Sequence, residues 1–382
     1  MSRPGKSFTV LLCAAPALCV LNGGGSGLAA APAADWPLFR GDRQLTGVAS
    51  AALPAELKPI WTHRAAAGIE TSAVVAGGLV YVGTLGGALQ AVSLETGAVA
   101  WTYEAGSPLK SSPSVFDGAV YVGDESGELH CVDAAAGKRR WIFRTEGAIA
   151  SSANLAGDLI VFGSEDNNVY AVTAKEGRLA WKVATGGYVY GTPAVFESGG
   201  AMMILSAGCD GFLRLVRARD GEVISKLELG GYVGASPAVR ADRAWVGTFE
   251  NSVLGIDLKG PRLLWSFSNP ERQFPFYASA AVTDGLVVIG GRDRTVHALE
   301  PATGKVLWSH VTRAKVDSSP VIAGDRVFAA NAAGDLFALG LGSGQMLWQF
   351  ETGAAILGSP AIAGGRLVIG NADGVLHAFA GK

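Results

Sequence analysis

The chain has 382 residues, of which 49% are hydrophobic and 17% charged, enough apolar sequence for a large core, which excludes a disordered chain. Its 31 basic and 33 acidic residues leave a formal charge of -2. That composition offers no cationic surface for a phosphate backbone, so nucleic acid is not an expected partner.

The first residues read as a targeting segment. Arg3 and Lys6 precede the apolar run from Phe8 to Leu21, and small residues follow to Ala34, the order of a secretory signal. Cleavage after Ala30 or after Ala33 would leave small residues at the scissile side. Residues 1–33 are therefore expected to be removed and the protein to be periplasmic or secreted. No apolar stretch reaches the roughly 18 residues of a membrane helix, so no transmembrane segment is expected. Leu12 before Cys13 and Leu18 before Cys19 argue against a lipid anchor. Cys131 and Cys209 then remain, two repeat units apart, and no disulfide between them is expected.

From residue 57 onward one period governs the chain. Trp61, Trp101, Trp141, Trp181, Trp265, Trp308 and Trp348 lie on a grid of 40 to 44 residues with one skipped slot, Ser225. A period of this length belongs to propellers and solenoids. Each unit carries four β-rich runs separated by Asp-Gly, Ser-Gly or Thr-Gly turns, as in Ser111-Ser112-Pro113-Ser114-Val115, Ala119 to Gly123, Glu128 to Asp133 and the run through Trp141. Gly lies four residues before the Trp slot at Gly97, Gly137, Gly177, Gly221, Gly304 and Gly344, where a positive φ is expected. The fifth unit has Gly260-Pro261 instead. The final unit ends before its Trp strand, while Leu57 to Thr62 is a Trp strand without a preceding unit. The prediction is an all-β, eight-bladed propeller over 57–382. Its ring is closed by the N-terminal strand completing the last blade, and residues 34–56 form an extension packed on it.

These residues resemble the pyrroloquinoline-quinone (PQQ) repeat propellers, whose units end Ala-x-Asp-x-x-x-Gly-x-x-x-Trp. Ala91, Ala171, Ala298 and Ala338 stand at the first position, Asp133 and Asp257 at the acidic one, and the Trp series at the last. The resemblance implies that these Trp side chains dock neighbouring blades. The family contains dehydrogenases that hold PQQ and calcium with a vicinal Cys pair, which this chain lacks. It also contains a non-catalytic, BamB-like branch of outer-membrane assembly scaffolds, which fits better. The expected protein is thus a monomeric, non-enzymatic scaffold for a protein partner in the cell envelope, without cofactor or metal. The alternatives are a PQQ/calcium-dependent oxidoreductase and a propeller that binds a carbohydrate or another envelope ligand.

Two sets of residues are candidates for contact. The residue before each inner Ser pair should reach the channel mouth, which places Glu70, Lys110, Tyr190, Tyr277 and Asp317 there. The linker 266–276 is three residues longer than its counterparts, and its Arg272, Phe274 and Phe276, with Arg292 and Arg294 on the same face, are candidate partner contacts. His130, His297 and His377 share one repeat position on blades 2, 6 and 8. They cannot gather around one ion, so no metal site is expected from them.

Overall fold

A computed structural model describes residues 35–381, and the predicted signal segment lies outside them. Strand β1 (Lys58–Arg64) comes first, followed by β2 (Val74–Ala76), β3 (Leu79–Gly83), β4 (Ala88–Ser93) and β5 (Val99–Glu104), which form blade 1 as an antiparallel meander. Six further four-stranded meanders follow, and the last sheet is completed by β1 pairing with Val375–Ala380. The result is the eight-bladed ring closed across its two ends.

The repeat motif has a physical reading in this architecture. The Ala of the motif lies directly across from the Trp of the next strand, as in Ala91↔Trp101, Ala171↔Trp181 and Ala338↔Trp348. A small side chain there leaves room for the indole, and a β-bulge falls beside the pair. The indole reaches into the next blade. Trp101 Nε1 donates to Ala134 O at 3.0 Å, and Trp61, Trp141, Trp181, Trp265, Trp308 and Trp348 make the corresponding bond to the following blade. Each ring except that of Trp348 also covers the turn Gly of its neighbour. A Cβ on Gly137 would lie 2.6 Å from Trp101, and its φ of +67° is strained for other residues. Glycine is required there twice over.

A second set of contacts joins the blades near the axis. The backbone N–H of Ser72 donates to Ser112 Oγ at 2.9 Å, and the pattern repeats at seven of the eight junctions, ending with Ser359 N–H on Ser72 Oγ. These serines lie on or beside the innermost strands, as the Ser-Ser-Pro reading predicts.

The N-terminal extension does more than pack on the propeller. Trp36 bridges to Val75 of blade 1, and the carbonyls of Pro37, Arg43, Gln44, Thr46 and Gly47 accept N–H bonds from the inner strands of blades 2, 4, 5, 6 and 7. On blade 3 the Asn154 side chain donates to Arg43 O. The segment therefore crosses one end of the channel and satisfies inner-edge donors that water or nothing would otherwise meet. Arg40 is 1% exposed, with its guanidinium on Ala280 O and Pro320 O, and burial lowers its pKa to about 9. Among the described residues no helix is long and apolar enough to cross a membrane.

Candidate docking face and channel mouth

Opposite the N-terminal plug, the inter-blade linkers and the turns after the second strands form the other face. At its centre is a pit of about 180 Å³ walled by the serine ring and by the mouth residues, with Phe39 of the plug lining it from below. Glu70, Lys110, Tyr190, Tyr277 and Asp317 all border this pit, so the repeat arithmetic placed them together correctly. Two clusters result. On one side Lys110 is ion-paired with Glu125, and this hydrogen bond outweighs burial in raising its pKa, with Glu70 and Glu165 adding to it. Burial, reinforced by Glu125, raises the Glu165 carboxyl, and burial with Glu165 nearby pushes Tyr190 up to about 12.

On the other side Arg292 holds Asp317 with two bonds of 2.9 and 3.0 Å, and Lys315 adds a third contact at 3.0 Å. The same guanidinium lies 3.6 Å above the Tyr277 ring. Arg292, expected as a free partner contact, is thus built into the mouth. A bidentate pair stacked on an aromatic fixes both side chains, which a lone charge could not do.

The long linker also separates the two phenylalanines. Phe274 is 50% exposed, whereas Phe276 is 1% exposed and packs on Gly247, Phe267 and His297. Phe276 is therefore corrected from partner contact to core. The sequence does carry the signal: the residue just before each mouth position is Ile69, Leu109, Ile149, Val189, Val233, Phe276, Val316 or Ile356, apolar in every blade and fully buried. Arg272 donates to Asp293 O at 3.2 Å, and Arg294 is exposed in a turn at φ +65°.

Aromatic side chains missed by the sequence reading complete this face. Tyr188 stacks edge-on with Tyr190, Phe249 lies 4.5 Å from Tyr277, and Phe249 N–H donates to the carbonyl of exposed Tyr232. They form an arc over blades 4 to 6 that runs into Phe274. The linkers of blades 8 and 1 carry Ala354, Ala355 and Ala65 to Ala67 instead, and that of blade 7 carries Arg313 and Lys315. Tyr188 and Tyr232 share one repeat position and Tyr190 and Tyr277 the next, but most blades carry other residues at both, and Phe249 and Phe274 stand at further positions, so the period alone does not predict the arc.

Among the described residues one group has metal-like geometry: one ligand atom each of Asp124, Glu128 and His130 lie within 4.8 Å of one another. It is a turn cap. Asp124 Oδ1 accepts the N–H groups of Ser126 and Glu128, and Oδ2 meets His130 Nε2 at 3.1 Å. Asn331 and Asn371 do the same at their own turns with a neutral amide oxygen, so the job requires no ion. Burial would raise the Asp124 carboxyl, but the bonds from His130, Glu128 and Ser126 hold it low. His130 and His297 are partnered, whereas both ring nitrogens of His377 are buried without a partner.

The mouth's fit to PQQ with calcium can be judged from its donors. Calcium collects six to eight oxygens, but Asp317 already faces two cations and the Arg292 stack covers the Tyr277 ring. Cys131 and Cys209 are free and on different blades. This donor set does not fit that pair.

An eight-bladed ring of Trp-docked four-stranded blades, with a plugged channel and an aromatic linker face, defines the class. Residues 29–115, 106–243 and 250–382 match the family described as outer membrane protein assembly factor BamB, and the chain belongs to that family. Among solved structures, BamB from Moraxella catarrhalis is similar at 19% identity and TM-score 0.71, covering 86% of this chain and 98% of that one. The quinohemoprotein alcohol dehydrogenase from Comamonas testosteroni is similar at 13% identity and TM-score 0.78, with coverages of 91% and 80%. The computationally designed Ika8 protein is similar at 18% identity and TM-score 0.73, with coverages of 83% and 98%. At these identities the likenesses show the fold. No curated protein matches in sequence.

Proposed function

We propose that this protein is an exported, non-catalytic scaffold of the cell envelope, BamB-like in its role in outer-membrane protein assembly, which binds a protein partner through its linker face over blades 4 to 6. The observation that carries this reading is the asymmetry of that face. Exposed Tyr188, Tyr232 and Phe274, flanked by Arg272 and Arg294, lie on one arc, whereas the linkers elsewhere on this face carry alanine, glycine and charged residues and no exposed aromatic side chain among the described residues. Tyr, Phe and Arg concentrate binding energy at interfaces. Family membership supports a protein partner, and the paired state of Arg292 and Asp317 supports the absence of a cofactor.

Crosslinking in cells followed by affinity recovery tests it. Tyr232→Ala combined with Phe274→Ala should lower recovery of the crosslinked envelope partner about tenfold and leave the melting temperature nearly unchanged, since both side chains are exposed. Unchanged recovery would refute the assigned face. Retention of PQQ and calcium with dye-linked alcohol or sugar oxidation would refute the non-catalytic reading.

A further inference from the structure

Blades 2 and 3 repeat each other's backbone at the channel mouth but not each other's side chains. Glu125 and Glu165 each open the turn after a second strand, with their N–H groups on Pro108 O and Ala148 O of the linkers that carry the mouth positions 110 and 150. In blade 2 the mouth residue is Lys110, and its ammonium is ion-paired with Glu125. In blade 3 it is Ala150. The Glu165 carboxylate therefore meets no lysine of its own blade, and it makes no hydrogen bond or ion pair among the described residues although it is partly buried. Burial and Glu125 raise this carboxyl, and Lys110 offsets them only in part.

The charge on this side of the mouth is negative, because Glu125, Glu70 and Glu165 all act on the one ammonium of Lys110. Glu70 borders the pit, and its carboxylate too is without a hydrogen bond or ion pair among the described residues. A second, independent feature stands beside Glu165. Thr192 follows Tyr190 on the pit wall and is 2% exposed. Its junction, from blade 3 to blade 4, is the one that lacks the serine-ring bond, so Thr192 Oγ1 accepts no N–H and has no other partner among the described residues. That oxygen is not sealed within the protein, and the small surface that Thr192 keeps is on the pit.

We propose that the blade 3 side of the mouth binds a primary ammonium group on an aliphatic chain, held over Ala150 by the Glu165 carboxylate and Thr192 Oγ1 as Glu125 holds Lys110. An ammonium brings three donors and no acceptor, which complements a carboxylate and a hydroxyl oxygen that both lack a donor. The Tyr190 ring on the same wall adds an aromatic surface that attracts a cation. A divalent metal collects about six oxygens or more, and Glu165 belongs to no group of three metal-ligating side chains among the described residues. A lysine of a bound protein and a free diamine share this chemistry. Only the lysine source rests on the scaffold reading, and the site itself does not.

The test is calorimetric titration of the protein at low ionic strength with putrescine and with N-acetyl-lysine methylamide, using butanediol as the neutral control. At least one amine should bind saturably and butanediol should not. Glu165→Gln should weaken the apparent Kd about tenfold or more, as for loss of a charge-assisted hydrogen bond. Ala150→Lys, which sets a lysine opposite Glu165 as Lys110 stands to Glu125, should abolish binding. Both positions are partly exposed, so both variants should melt close to the parent. Binding of the blocked lysine assigns the site to a lysine of a bound protein, and binding of putrescine alone assigns it to a free diamine. The proposal is overturned if neither amine binds, if butanediol binds equally, or if Glu165→Gln or Ala150→Lys binds as the parent does. Partner recovery through Tyr232 and Phe274 is read in a separate experiment, so failure of either reading is distinguishable.

Discussion

Seven seams of the ring are closed by a tryptophan, and the seam between blades 4 and 5 is not. Where the others pair an outer-strand Trp with a small cross-strand residue and with a turn residue of the next blade, usually Gly, this one has Ser225, Leu215 and Pro261. The three changes belong together. Without an indole, Leu215 fills the space opposite Ser225, and the next turn no longer needs a residue without a Cβ, so Pro can stand in it. Ser225 Oγ is left buried without a partner. The ring thus tolerates one apolar seam because seven others and the N-terminal plug hold the blades in place. The tryptophan clasp is one solution to blade docking and its three parts change as a unit.

Breaking the clasp elsewhere should have the largest effect. Trp181→Ala removes a buried indole and orphans Ala218 O, and should cost about 3 to 5 kcal/mol in urea unfolding. Retention of stability within 1 kcal/mol, by the ~0.5 kcal/mol scale of surface changes, would show that the clasp is dispensable. Gly177→Ala tests the other half. Its Cβ would lie 2.5 Å from the Trp141 ring at φ +67°, for an expected loss of about 2 to 3 kcal/mol. The exception can be converted into the rule. Ser225→Trp alone should destabilise against Leu215 and Pro261, and the triple change with Leu215→Ala and Pro261→Gly should recover at least the parent's stability. The coupling should be about 1 to 3 kcal/mol by mutant cycle; additive effects would mean the three positions are unrelated.

The smallest expected effect lies at the seam that closes the ring. His377, across from Thr62 of β1, sits against Phe350 and Phe379, and burial lowers its pKa below the ordinary 6.5. The unfolded chain therefore takes up a proton first as pH falls, so folding is favoured above about pH 6.5 and this contribution is lost on acidification below it. His377→Leu should flatten that part of the dependence. Equal urea midpoint shifts between about pH 7.5 and 5.5 in both proteins would argue against it.

Much of the site was legible for the same reason as the fold: a strict repeat converts residue number into position. It placed Glu70, Lys110, Tyr190, Tyr277 and Asp317 around one opening. It could also have removed Phe276 from the candidate contacts, since the apolar position before each mouth residue never varies in character. The sequence does not show that Arg292 belongs to the mouth, because its partners, Asp317 and the Tyr277 face, stand in two different inter-blade linkers and only side-chain direction brings them together.

The sequence by itself determined the blade count, the strand order, the turn glycines and the ring closure, because each is a local pattern multiplied by a period. The tertiary structure alone decided what lies outside the period. It lays residues 36–47 across one end of the channel against the inner strands of successive blades, sets Phe249 and Phe274 beside the tyrosines of the neighbouring linkers, and leaves the buried Trp245 N–H without an acceptor. Such features depend on distances between atoms remote in the chain, and no regularity along it encodes them.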